Sequence, residues 1–239
     1  MKLKKALPVM KGCSFVLRAS AVAFLGIVAT VSGANLVVNG DFSAGNTGFT
    51  TGYTLSTQTP QLFANGIHGI YAVLPIGSVA GQSAYGDWTN VTVDPNGGNG
   101  NVFASDAATT ANTPVWSETV AVQANTLYTF SYYAAEISNP GGSNAVFQPM
   151  INGTNGAALT VNGSWQEGTY TWNSGSSTTA TLSLTDTNTS GPYNDFVLTD
   201  IALTGPAAGS TAPEPATLAL LGAGLATVAS VRKFRKGNE

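Results

Sequence analysis

Two stretches of this sequence alternate apolar and polar side chains with a period of two, and that alternation constrains the fold more than any other feature. In "TLYTFSYYAA" at 126–135, Tyr128, Phe130 and Tyr132 fall on one face, and Leu127, Thr129 and Ser131 on the other. In "ATLSLTD" at 180–186, Ala180, Leu182 and Leu184 oppose Thr181, Ser183 and Thr185. Side chains that alternate in this way, rich in Thr and aromatics, belong to strands with one buried face. Turn-forming clusters separate such runs: "DPNGGNGN" at 94–101, "SNPGGSN" at 138–144, "NGTNG" at 152–156 and "NSGSS" at 173–177. No stretch of the body shows a helical period with caps, and no internal repeat suggests a propeller or solenoid. The expected class is all-β, a sandwich or barrel of short strands.

Charge narrows the function. Only 9% of the 239 residues are charged, far below the roughly 25% of ordinary soluble domains. Every Lys and Arg lies near an end: Lys2, Lys4, Lys5, Lys11 and Arg18 at the front, Arg232, Lys233, Arg235 and Lys236 at the back. The body from Asn35 to about Thr211 holds ten carboxylates and no Lys or Arg, for a net charge near −10. A protein that binds nucleic acid must neutralise phosphates with basic side chains, so that class is excluded. Arginine clamps on phosphate and Schiff-base lysines are excluded with it.

The basic ends flank apolar segments. At the front, a basic region through Arg18 precedes the apolar run Ala19–Val31 and the small residues Ser32 and Ala34. This is the layout of a secretory signal peptide, with signal peptidase cleaving between Ala34 and Asn35. Cys13, the single cysteine, leaves with it, so the mature chain has neither disulfide nor thiol chemistry. At the back, Pro213, Glu214 and Pro215 precede sixteen uncharged residues and then "RKFRK". As a helix that segment reaches about 24 Å against a hydrocarbon core of about 30 Å. Gly222, Ala223 and Gly224 thin its apolar surface. Such a helix suits transient membrane insertion, with its basic cluster inside and the body outside. A permanent C-terminal anchor is the alternative.

Little in the body points to catalysis. His68, the only histidine, sits in "NGIHGIYAVL" as a structural or surface residue, and no Ser lies in a G-x-S-x-G context. Zinc sites built from His and Cys are excluded by count. Two carboxylates suffice in principle for glycoside hydrolysis, but among ten some pair always exists. The sequons at Asn90, Asn152, Asn162 and Asn188 are expected by chance in a chain so rich in Asn, Thr and Ser. Of the aromatics, Trp116, Tyr128, Phe130 and Tyr132 belong to strand patterns and to the core. Tyr53, Tyr85 and Trp88 lie in the loop-like contexts "TTGYTLS" and "SAYGDWTN". Loops on a rigid sheet scaffold carry binding groups. The expectation is a stacking platform of Trp88 and Tyr85, with Tyr53 near the same edge and Asp87 accepting sugar hydroxyls; the alternative is that each ring covers a corner of the core.

The tail resembles the PEP-CTERM sorting signal of exported proteins in exopolysaccharide-producing Gram-negative bacteria, on Pro213-Glu214-Pro215, the apolar run and the basic cluster. That resemblance implies an exosortase-type membrane protease as partner, and delivery to the cell surface or extracellular matrix. The body is similar to galactose-binding-like jelly rolls, the carbohydrate-binding CenC-like group among them. The likeness rests on "NLVVNGDFSAGNTGFTTGY" at 35–53, "GNVFASD", "VWSETVAVQANTLYTFSYYAA", "GSWQEGTYTW" and "NDFVLTDIAL". It implies two sheets packed face to face, first and last strands side by side, and a structural Ca2+ between opening loop and closing strand. Ser43 and Thr199 replace acidic residues of that pattern, leaving Asp41 and Asp200 as metal ligands. The organisation expected is a signal peptide at 1–34, a jelly-roll β-sandwich at 35–204, a linker at 205–212 and a sorting helix at 213–239. The function expected is a non-catalytic, polysaccharide-binding surface protein. The alternatives are a structural matrix protein without a specific ligand and, more distantly, a secreted glycoside hydrolase.

Overall fold

A computed structural model describes residues 33–205, apart from 64–65, 85, 87, 89–90, 139–142 and 190–193. The chain divides into Met1–Val31 and Ser32–Glu239, and all described residues belong to the second unit. The expected signal peptide up to residue 32 and the sorting tail with Pro213, Glu214 and Pro215 lie outside them.

The alternating stretches form strands, and the turn clusters end them. In chain order these are β1 (Ala34–Asn35), β2 (Thr54–Leu55), β3 (Ile70–Pro75), β4 (Asn101–Asp106), β5 (Pro114–Ala121) and β6 (Leu127–Glu136), followed by β7 (Val146–Ile151), β8 (Thr154–Asn155), β9 (Leu159–Thr160), β10 (Gln166–Asn173), β11 (Thr179–Asp186) and β12 (Phe196–Gly205). A seven-stranded sheet runs β10-β6-β12-β4-β3-β2, with β1 also paired to β12; a five-stranded sheet runs β5-β11-β7-β8, with β9 also on β7. From β4 to β7, and again from β10 to β12, consecutive strands alternate between the two sheets. That crossing pattern makes the body a β-sandwich of the jelly-roll type. Ala34 pairs with Gly205, so the first and last strands lie side by side.

The expected inward faces pack between the sheets. Tyr128, Phe130 and Tyr132 of β6 meet Trp116 of β5, Phe147 of β7 and Ala180, Leu182 and Leu184 of β11 in one buried cluster. The larger sheet also has a covered outer face. Ala72, Leu74, Val102, Ala104, Ala135 and Val197 point outward and are buried under Phe63, Ile76, Val79, Trp88 and Val91. That cover includes the one short α-helix among the described residues, α1 (Ile76–Val79), a single uncapped turn after Pro75 that is too brief to leave a helical period in the sequence. The cover stops short of β10. On β6 the cover reaches Ala135 but leaves Thr129, Ser131 and Tyr133 half-exposed, and the outward residues of β10 are exposed.

On the inner side, β10 contributes Gly168, and the ring of Tyr132 lies where its side chain would be. A Cβ there would stand 2.2 Å from Tyr132 Cζ. The Tyr132 hydroxyl is fully buried with no hydrogen-bond partner among the described residues. Two substitutions should therefore diverge. Gly168→Ala should cost about 1–3 kcal/mol by overpacking, whereas Tyr132→Phe, which deletes an unsatisfied group, should leave stability unchanged or slightly raised. Thermal melts of the two variants beside the parent chain check this.

Candidate functional site

The opening motif "NGDF" places four side chains with four tasks. Asn39, at φ +58°, ties its loop together: its amide donates to the carbonyls of Gly45 (2.9 Å) and Thr47 (2.7 Å), and its carbonyl accepts the Ala44 N–H (2.8 Å). Gly40 lets this loop touch β12. A Cβ there would lie 1.9 Å from the Ile201 carbonyl oxygen, and the Gly40 carbonyl accepts the Ile201 N–H at 3.0 Å. Phe42 is fully buried against Phe49 and Phe103, with ring centroids 5.4 and 6.1 Å away. Asp41 is left facing out, its Oδ1 accepting the Ser43 N–H (3.1 Å) and Oγ–H (2.8 Å).

Opposite, β12 carries a bulge between Thr199 and Ala202. Asp200 sits in it at φ +51°, a conformation that Asp tolerates better than most residues. The bulge turns Ile201 inward and directs Asp200 to the surface. Asn35, Asn39, Gly40, Asp41, Asp200 and Ile201 then line one pocket of about 330 Å³. The Asp200 carboxyl is pushed up from its ordinary pKa by burial and by the charges of Asp94 and Asp41. Asn96 Nδ2 donates to its Oδ2 at 3.2 Å. Asp94 is held well below the usual carboxylate range by the N–H groups of Gly98, Gly100 and Asn96. The structure thus brings the sequence-expected pair Asp41 and Asp200 together and adds Asp94 to their field. Among the described residues, no group of three or more His, Cys, Asp or Glu side chains is placed to hold a metal ion.

Beside this pocket lies the open outer face. Tyr133 stands on it, opposite Glu167 of β10 and Thr199 of β12 in the strand register. It is partly exposed. The charge of the neighbouring Glu167 carboxylate, with burial and, more weakly, the charge of Asp200, pushes its pKa up. Trp165, one residue before β10, packs at the margin of the covered region, with its indole N–H donating to the Val93 carbonyl at 2.7 Å. Sequence reasoning missed both rings, reading "TFSYYAA" only for its inward face. The same parity that sends Tyr132 into the core sends Tyr133 out, and that was the available signal.

The expected platform does not form as drawn. Trp88 is 2% exposed. It packs on Phe63 with ring centroids 4.4 Å apart, and its indole N–H donates to Asp195 Oδ2 at 3.0 Å. Both faces are covered by protein, so the ring is a core residue of the outer cover. Tyr53 is likewise buried, with its hydroxyl accepting the Ala108 N–H at 3.1 Å. Gly and Thr neighbours made both contexts look loop-like, but Trp88 covers the apolar outer face of the larger sheet and Tyr53 enters the core between the sheets beside Phe103 and Phe196. Tyr85 and Asp87 lie outside the described residues.

A second gathering of titratable groups closes one end of the sandwich. Glu136 Oε2 accepts the Ala145 N–H at 3.1 Å and Oε1 the Ser138 hydroxyl. Asp186 Oδ1 accepts the Val146 N–H (2.8 Å) and the Asn188 N–H (2.9 Å). Both carboxylates thus anchor the start of β7. Asp106 is bonded to His68 Nδ1 at 2.7 Å, so the single histidine has a structural partner. Burial pushes Glu136 up to about 7 and Asp186 up to about 6.

Residues 211–236 match the PEP-CTERM protein-sorting motif. That motif marks proteins exported to the cell surface of Gram-negative bacteria, and this chain carries the address. No curated protein matches the chain in sequence. Among solved structures, the xylan-binding CBM22-1 domain of Paenibacillus barcinonensis Xyn10C is similar at 15% identity and TM-score 0.45, covering 74% of this chain and 97% of that one. A family 16 carbohydrate-binding module is similar at 15% identity and TM-score 0.40, covering 71% and 99%. A cyclase from Fischerella sp. TAU, in complex with 4-(1H-indol-3-yl)butan-2-one, is similar at 16% identity and TM-score 0.49, covering 74% and 98%. Binding modules and an enzyme thus stand side by side in the comparison.

The buried carboxyls generate a pH dependence. A carboxyl whose folded pKa lies above its unfolded value binds its proton more tightly when folded. The stability this contributes is complete below the unfolded value, 4.5 for Glu136, and is lost as pH rises through about 7. For Glu136 the loss is on the order of 3 kcal/mol. Chemical denaturation between pH 4.5 and 8 should show stability falling with pH, and Glu136→Gln should flatten the slope whatever its absolute stability.

Proposed function

We propose that the exported body binds a polysaccharide on the open outer face of its larger sheet, with Tyr133 as the stacking ring and Trp165 at the rim. Glu167 and Asp200 accept sugar hydroxyls there. The observation that supports this reading is Tyr133 itself: a half-exposed aromatic paired in register with the exposed Glu167 carboxylate, on the part of the sheet that the cover leaves open. Sugars present apolar C–H faces to aromatic rings and hydroxyls to oriented acceptors, and Tyr133 with Glu167 offers both. The reading is non-catalytic. Glu136 and Asp186, the carboxyls with raised pKa values near neutrality, are buried and spend their oxygens on backbone N–H groups. Delivery uses an exosortase-type protease acting at Pro213–Pro215, and signal peptidase at the Ala34–Asn35 bond.

Tyr133→Ala should weaken retention in an affinity gel containing the host's extracellular polysaccharide about tenfold, the worth of one stacked ring at roughly 1.4 kcal/mol. Its melting temperature should stay close to that of the parent. Failure of the parent chain to be retained would leave the structural matrix role as the better reading.

Calcium belongs to the same proposal. Asp41 and Asp200 suit a hard cation in charge and in donor type, with backbone carbonyls and water supplying the remaining oxygens. The ion would offset the mutual repulsion of Asp41, Asp94 and Asp200. Calcium should then raise the melting temperature more than sodium chloride of matched ionic strength, and Asp41→Asn should remove the excess. Equal effects of the two salts would reduce the matter to screening.

A further inference from the structure

The strand at the margin of the larger sheet, β10, has one side without a partner among the described residues. Its pairing with β6 runs through eight consecutive residues, from Gln166 opposite Ala134 to Asn173 opposite Leu127, with no bulge. The Ser174 N–H donates to the Thr126 carbonyl at 2.9 Å, which sets the phase of the ladder. Hydrogen-bonded pairs alternate along an antiparallel ribbon, so Gln166, Gly168, Tyr170 and Trp172 bond to β6. Glu167, Thr169, Thr171 and Asn173 therefore aim their N–H and C=O groups away from it. All four are exposed. Among the described residues, no backbone group of another segment hydrogen-bonds to theirs.

The other margins are occupied. Along β5, Thr50 bridges Ser117 and the Gly52 N–H donates to the Pro114 carbonyl. The far side of β7 carries β8 and β9, and β3 carries β2. Natural edges are usually guarded by Lys, Pro, a bulge or a covering loop. β10 has no Lys, no Pro and no bulge.

We propose that β10 is a docking edge for a second copy of this chain, the two strands pairing antiparallel about a two-fold axis at Tyr170. The sequence of the strand is self-complementary in that register. Thr169 faces Thr171 of the other copy, and Glu167, the only charge in the strand, faces the Asn173 amide instead of its own counterpart. The four outward-aimed residues of each copy then exchange about eight backbone hydrogen bonds. Thr–Thr pairs across such a seam are favourable, and no like charges stand directly opposite. A two-fold axis normal to the sheet leaves both outer faces on the same side, so the two Tyr133 positions look in one direction. The dimer presents a doubled surface to a polymer and gains by avidity if that face binds one. The pairing itself does not depend on that.

Sedimentation velocity of the exported protein, followed up to about 100 µM, tests the pairing. The expected result is a monomer–dimer equilibrium that strengthens with salt, because two bodies of like charge repel. Thr169→Pro removes an edge N–H without touching the β6 ladder. The double variant Thr169→Asp with Thr171→Asp sets carboxylates opposite one another across the seam. Both should remain monomeric with melting temperatures near the parent's. Thr169→Asp with Thr171→Lys sets opposite charges across the same seam and should restore the dimer. A parent chain that stays monomeric at high salt, a dimer indifferent to the paired aspartates, or a folded Asp–Lys variant that fails to associate would each overturn the proposal.

Discussion

Ten carboxylates share a body that contains no lysine or arginine, and the arrangement of the polar groups follows from how they are held without a cation. Backbone N–H groups do most of this. Asp94 takes three of them, Asp186 two, and Glu136 and Glu118 draw on Ala145 and Val38. An N–H donor stabilises an ionised oxygen much as a counter-ion does, but only at a fixed angle and distance, so each such carboxylate also pins a loop. Asp195 relies on the Trp88 indole and Asp106 on His68. Among the described carboxylates, those with the weakest protein partners are Asp41, Asp200 and Glu167, and these are the ones beside the open face. Groups satisfied inside the protein build structure. Groups left facing outward are available to a ligand.

The same economy explains how the sandwich closes. The opening loop docks on the last strand because Gly40 has no side chain to clash with the Ile201 carbonyl and its own carbonyl accepts the Ile201 N–H that the bulge presents. Phe42 then drops into the core beside Phe103, and Asp41 stays at the surface. Closure of the fold and assembly of the acidic pocket are one event, since the two flanks of the pocket are the two ends of the chain's path. A residue changed for packing at position 40 or 201 would therefore alter the pocket as well.

The covered and open halves of the outer face have different origins. Over β3 and β4 the outward residues are Ala, Val and Leu, and this apolar surface has to be shielded from water. Phe63, before β3, and Ile76, Val79, Trp88 and Val91, after it, supply the shield. Over β6 and β10 the outward residues are mostly polar, Thr129, Ser131, Tyr133, Glu167, Thr169, Thr171 and Asn173, which water solvates without a cover. Tyr133 is exposed for that reason, and so is the β10 edge beside it.

Read alone, the sequence determined the all-β class, the inward faces of β6 and β11 and most of the turns. Each of these follows from short-range rules, side-chain alternation and turn chemistry, whereas the pairing of Asp41 with Asp200 came only from the resemblance to jelly rolls. It also determined that no basic partner exists for nucleic acid, because composition cannot be undone by folding. Tertiary structure alone decided which aromatics face water. Trp88 and Tyr53 sit among Gly, Thr and Ser, yet Trp88 is buried on the apolar outer face of the larger sheet and Tyr53 between the two sheets. Tyr133 sits in a strand rich in core residues, yet is exposed because its outward neighbours from two other strands are polar. Burial depends on what the chain brings opposite from far away in sequence, and local composition does not record it.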